Sequence, residues 1–199
     1  MMMNPRRLII PLMLSLQLWG LQAAATSVLP LSLQRMAGTA AVIFHGRVTG
    51  NEVRQDPTSG QIVTVTEFEV LEAVKGNPGK VYRIKQIGGQ LPGSLRRMVI
   101  HGVPEFSIDE EYVVFLPNAS NLGFASPIGL SQGKFDVFRQ NGKAMVSRGR
   151  APATVLNTQQ PALPEPEVPS ALETAPAGVL PAGTDLGYFL QTVRGMVGE

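Results

Sequence analysis

Six stretches of the chain arrange apolar side chains in the manner of β-strands. Ala41–Val48 is β-branched and aromatic, with Val42, Ile43 and Phe44 leading into His45, Gly46 and Arg47. In Ile62–Leu71 the positions Ile62, Thr64, Thr66, Phe68 and Val70 share one face, and Val63, Val65, Glu67 and Glu69 share the other. Val81–Ile87 sets Tyr82, Ile84 and Gln86 against Val81, Arg83 and Lys85. Glu111–Leu116 is the most apolar run after the first 25 residues and predicts a central strand. Lys134–Arg139 alternates cleanly, and Asn141-Gly142 predicts a tight turn that pairs Ala144–Ser147 back onto it.

Turn chemistry separates these stretches. Asn51–Gly60 is polar and holds Asp56-Pro57 and Ser59-Gly60, which predicts a loop or a long hairpin turn. Gly76-Asn77-Pro78-Gly79 is a strong turn, Gly88-Gly89 and Pro92-Gly93 break the third strand, and 94–108 reads as irregular. No helical period lies between the strands. The spacing therefore predicts a mainly β domain over 40–150, a five- to six-stranded antiparallel Greek-key barrel of the OB type.

Helical patterns occur only at the flanks of this domain. Residues 26–39 form a connecting segment whose stretch 31–38 suits a short helix. At the far end, 184–199 predicts an amphipathic helix. Thr184 or Asp185 can cap it, and Leu186, Phe189, Leu190, Val193 and Val197 make one apolar stripe. Seven prolines between 151 and 183 make that stretch a linker, because each lacks a backbone donor and fixes φ. A free helix of this length is marginal in water, so the stripe predicts docking on its own domain.

The first 25 residues change the address. Arg6 and Arg7 precede a largely apolar run from Leu8 to Leu21, and Ala23-Ala24-Ala25 supplies small residues for cleavage. The run is shorter than the roughly 20 residues that span a bilayer, so it reads as a signal peptide and not as a stable anchor. The expected mature protein, secreted or periplasmic, starts near Thr26. Of the 17 Lys and Arg, two leave with the signal, and 15 remain against 15 Asp and Glu. Such a balance predicts no nucleic-acid partner, which needs clustered cations. Cysteine is absent, which removes thiol nucleophiles, thiolate metal ligands and disulfides.

Candidate chemistry is sparse. The two histidines, His45 and His101, are the residues on which a hydrolase or a shared metal site would have to be built, and neither has a second ligand at short spacing. Asp109, Glu110 and Glu111 form an acidic cluster that suits a solvated turn before a strand. Gly88-Gly89-Gln90-Leu91-Pro92-Gly93 lacks the lysine of a phosphate loop and reads as a sharp turn or a close backbone approach. Lys80, Arg83, Lys85, Arg96 and Arg97 suit a solvated face. No catalytic, metal or cofactor site is expected, and the chain reads as a non-catalytic module that binds another exported protein. An envelope accessory role, or a hydrolase using His45 and His101, is the alternative.

Val74-Lys75-Gly76, Ile84–Gly89, Gly102–Phe106, Glu111–Leu116 and Ser126–Phe135, in that order, resemble a family of uncharacterised exported bacterial proteins. More distantly, the opening strand Ile43–Val48, the Lys75-Gly76 turn and the acidic-Tyr-apolar strand Glu111–Leu116 are similar to netrin-like modules and the tissue inhibitors of metalloproteinases. That resemblance implies an OB-type barrel and a peptidase as partner class. The inhibitors chelate zinc through an amino-terminal cysteine, which has no counterpart here, so the resemblance implies the fold and not the inhibitory mechanism.

Overall fold

The computed structural model describes residues 30–149 and 183–198. The signal peptide read over 1–25, the start of the connecting segment and nearly all of the proline-rich linker lie outside them.

A short helix, α1 (Leu33–Thr39), opens the described chain. Ser32 caps it by accepting from the Arg35 N–H, and Met36 and Ala37 are its buried residues. Strands β1 (Val42–Gln55) and β2 (Ile62–Lys75) then form a hairpin of two 14-residue arms. Residues Asn51–Gln55, expected as loop, are strand: they pair with Thr66–Ile62 in continuous register. The strong strand formers of β2 impose pairing on a polar segment, because pairing context outweighs local propensity. The turn shrinks to 56–61, where the Asp56 carboxylate accepts from the Ser59 N–H at 3.0 Å and from its hydroxyl at 2.7 Å.

Arms this long must bend. Register shifts fall between Ile43 and Phe44, His45 and Gly46, and Val48 and Gly50. Glycine is required at 46, since a Cβ there would sit 2.8 Å from the Glu69 carbonyl oxygen and 2.9 Å from the Phe44 ring.

The chain continues through β3 (Val81–Ile87), a two-stranded ribbon of β4 (Gly89–Gln90) and β5 (Arg97–Met98), then β6 (Glu111–Leu116), a 3-10 turn over Leu130–Gly133, β7 (Lys134–Gln140) and β8 (Lys143–Ser147). Strand β9 (Thr184–Asp185) leads directly into helix α2 (Leu186–Val197). The main sheet is antiparallel in the order β3-β2-β1-β6-β7-β8-β9. It is not closed into a barrel, so the expected five- to six-stranded OB-type closure gives way to an open seven-stranded sheet. Each edge meets something other than the opposite edge. At β3, Lys85 bridges Phe124 and its carbonyl accepts from the Ala125 N–H at 3.0 Å. At the other edge β9 is only two residues long and turns into α2.

Each face of the sheet carries a buried core, under different covers. On one face Ile43, Val113, Phe115, Phe135 and Val146 pack with Met36 of α1 and with Phe189, Leu190 and Val193 of α2. On the other, Phe44, Phe68, Ile84, Tyr112, Val114 and Leu116 pack with Phe106 and Ala125 from loops. Strand β6 contributes to both, as its apolar run predicts. The carboxy-terminal helix docks on its own domain: Asp185 caps it by accepting from the Tyr188 N–H at 3.0 Å, and Arg194 pairs with Glu72 of β2. Burying each of its three inward side chains stabilises by roughly 1.5–3 kcal/mol. Among the described residues no helix is long and apolar enough to cross a membrane.

Candidate functional site

Pairing places His45 opposite Val113 and, by alternation, beside Ile43 on the helix-covered face. It is 6 % exposed, and its ring Nε2 lies 3.0 Å from the Glu111 carboxylate, which only accepts, so the ring N–H donates. Arg47 donates to the other Glu111 oxygen at 2.7 Å. Burial pushes the Glu111 carboxyl up, but hydrogen bonds from Arg47 and His45, together with their attraction, outweigh it and hold it below the ordinary carboxylate range.

The remaining candidates disperse. His101 is exposed in the loop after β5, among residues that cover the opposite face of the sheet. The two histidines are therefore not brought together. Asp109 takes a left-handed conformation, φ 68°, in the turn before β6 and is exposed with Glu110, so of the acidic cluster Glu111 alone reaches a partner set. Arg83 donates to Glu67 at 2.7 Å, and Lys85 donates to Asp56 at 3.2 Å with its ammonium 4.5 Å from the centre of the Phe124 ring. Hydrogen bonding from Ser59, against the effect of burial and with help from Lys85, holds the Asp56 carboxyl low. Among the described residues no group of three or more His, Cys, Asp or Glu is arranged to hold a metal ion.

A different site emerges where the sequence reads as irregular. After β3 the chain turns at Gly88 and Gly89, both with positive φ, and folds the β4–β5 ribbon back beside the sheet. A Cβ on Gly89 would stand 2.7 Å from the Thr64 hydroxyl and 2.8 Å from a Val53 methyl; the close approach read into this glycine pair is real. The ribbon and the segment 99–106 enclose a cleft of about 320 Å³ against β1, β2 and β3.

Its walls are Val53, Ile87, Met98, Ile100, Val103 and Phe106, and its polar groups include Asn51, Thr64, Thr66 and Gln86. Most of these are internally satisfied. Thr66 donates to the Asn51 carbonyl oxygen at 2.7 Å, Asn51 donates to the Phe106 carbonyl at 2.7 Å, and Thr64 donates to the Gly88 carbonyl at 2.8 Å. Of its lining, Val99 is 59 % and Ile100 is 42 % exposed, and the charged Arg97 and Glu105 are exposed as well.

The signals for this cleft are present in the sequence but separate. Gln86 sits at an inward position of the β3 alternation where Tyr82 and Ile84 predict an apolar side chain. Asn51 falls in the polar stretch that reads as loop. Only the return of the 89–106 segment over the sheet puts them in one place.

Apolar walls with a few placed polar groups are the ingredients of a ligand-binding cleft. No protein-family model matches the chain, and no curated protein matches it.

Proposed function

We propose that this chain is a non-catalytic binding module that recognises another exported protein through the cleft under the β4–β5 ribbon. The observation that carries this reading is the cleft itself, with Val99 and Ile100 of its lining left 59 % and 42 % exposed. A peptidase is the partner class suggested by analogy with netrin-like modules, and fold analogy alone gives that class little weight. Export, and with it a secreted or periplasmic partner, rests on the signal-peptide pattern of residues 1–25.

One observation favours a second reading. His45 hydrogen-bonded to Glu111 is the base-and-orienter pair of many hydrolases. The pair is nearly buried on the face away from the cleft, and no serine or threonine hydroxyl hydrogen-bonds His45 among the described residues.

Site-specific photo-crosslinking in the native envelope tests the first reading. A cross-linker at Val99 should give one discrete adduct, a cross-linker at the exposed Gln191 of α2 should not, and Ile100→Ser should weaken the adduct. Equal labelling from both positions, or none from Val99, would overturn it. Hydrolysis of generic ester or peptide substrates that His45→Ala abolishes would replace it with the second.

A further inference from the structure

Between Glu72 and Glu105 the chain carries no acidic residue and six cations: Lys75, Lys80, Arg83, Lys85, Arg96 and Arg97. The fold engages three of them. Lys75 donates to the Ala37 and Gly38 carbonyls at the end of α1, Arg83 pairs with Glu67, and Lys85 pairs with Asp56. Lys80 is exposed just before β3. Arg96 and Arg97 stand together at the β4–β5 ribbon, both exposed and neither in an ion pair among the described residues. The first acid beyond them, Glu105, lines the cleft and is also without an ion pair among those residues.

The ribbon ends in a tip with an apolar side chain. The Leu91 N–H donates to the Arg96 carbonyl, which closes the hairpin and leaves 92–95 as its apex. Pro92 and Gly93 are exposed, and nothing lies within 4 Å of where a Gly93 Cβ would stand, so the apex projects from the domain. Its shape is held from within: Gln90 Nε2 donates to the Ser94 carbonyl at 2.6 Å, and the Ser94 hydroxyl accepts from the Arg96 N–H at 3.1 Å. Leu95 on this apex is fully exposed. A protruding leucine followed directly by two unpaired guanidinium groups complements a surface whose charge and apolar interior are ordered in depth. An anionic bilayer has that order, with phosphate outside and hydrocarbon beneath. Guanidinium groups pair with phosphate through two parallel hydrogen bonds.

We propose that the tip of the β4–β5 ribbon is a peripheral membrane contact, in which Leu95 enters the headgroup boundary of an anionic phospholipid bilayer while Arg96 and Arg97 hold lipid phosphates. One leucine and two cations give reversible attachment and not an anchor. The contact is additional to the cleft. Leu95 and Arg96 are not among the residues that line it, so the ribbon can rest on lipid while the cleft holds a partner. Arg97 lines the cleft as well, which makes Arg96 the cation to test.

The test uses the chain without residues 1–25, whose apolar run would itself enter lipid; the described fold begins at residue 30. Trp19 is the chain's single tryptophan, so Leu95→Trp then supplies the sole indole. With phosphatidylglycerol vesicles its emission should shift to the blue and be quenched by brominated acyl chains. Phosphatidylcholine vesicles should do neither, and Gln191→Trp on α2 should respond to neither lipid. In sedimentation with phosphatidylglycerol vesicles, Leu95→Ser should bind about tenfold more weakly and Arg96→Ser about fivefold more weakly, and high salt should release the parent. Both side chains are exposed, so unchanged melting midpoints separate lost binding from lost folding. No partition into phosphatidylglycerol vesicles, equal partition into phosphatidylcholine, or variants that bind like the parent would each overturn the proposal. Soluble polyglutamate that binds as tightly as the vesicles would also overturn it and assign the arginines to an acidic protein. No partner protein is present in these assays, so their failure leaves the cleft reading to its own cross-linking test at Val99.

Discussion

The two faces of one sheet are finished differently. Under the helices one face is sealed: Phe115, Phe135 and Phe189 meet at centroid separations of 5.0–6.5 Å, and Phe189, Leu190 and Val193 are at most 2 % exposed. The opposite face starts the same way, with a chain of edge-on rings from Phe44 through Phe68 and Phe106 to Tyr112. It ends in a cleft whose lining leaves Val99 and Ile100 exposed and holds Gln86 with a buried, unpaired amide nitrogen. Helices cover a sheet with a continuous stripe of side chains. A two-residue ribbon and irregular chain cover it with gaps. The binding that we propose lies on the second face.

Substitutions that touch one face at a time sharpen this contrast. The largest effect is expected at the sealed face. Phe189→Ala removes a ring packed between Phe115 and Phe135 and should destabilise by about 3–5 kcal/mol, read from denaturant unfolding. A loss below about 1 kcal/mol, the range of ordinary surface changes, would mean that α2 contributes little to the fold.

Gly89→Ala acts on the open face. Its φ of 129° is unfavourable to any side chain, and the added methyl meets Thr64 and Val53. The expected cost is about 1–3 kcal/mol. Hydrogen exchange should show the loosening confined to the ribbon and 99–106, with β6 and α2 protection lowered only by the change in global stability. Uniform loosening of both faces beyond that change would contradict their independence.

The smallest effect concerns acid. Glu111 has a folded-state pKa below its ordinary value of 4.5, so it stabilises in full above that value, and the contribution is lost as pH falls through the lower, folded value. Glu111→Gln should lower stability by about 1 kcal/mol near neutrality, a modest figure because Arg47 is partly exposed, and should flatten the acid limb of the thermal midpoint. Parallel acid limbs for parent and variant between pH 7 and pH 3 would show that the His45–Glu111–Arg47 set contributes nothing to folding.

Elements set by local pattern were legible. The strands β2, β3, β6, β7 and β8 follow alternation or apolar runs, and the α2 stripe names the three residues that the structure buries. The turn at Asn141-Gly142 follows from residues that tolerate positive φ. Non-local pairing was not legible. The second half of β1 is polar and becomes strand only because β2 lies opposite. The ribbon of β4 and β5 consists of two residues against two, too short for a period. The acidic cluster split because turn conformation holds Asp109 while strand direction carries Glu111 to His45 and Arg47.

The sequence by itself determined a mainly β, cysteine-free domain with a helix that must bury one face, since alternation, turn residues and amphipathic spacing act over a few neighbours. Whether the sheet closed was decided in three dimensions. Phe124 and Ala125 reach the β3 edge and α2 follows β9 at the other, and no local signal encodes which distant segment meets an edge. The cleft belongs to the same class of decision. Gln86 reads as one inward polar residue among apolar ones, and its amide nitrogen is buried without a partner only when the chain after Gly89 folds back over the sheet.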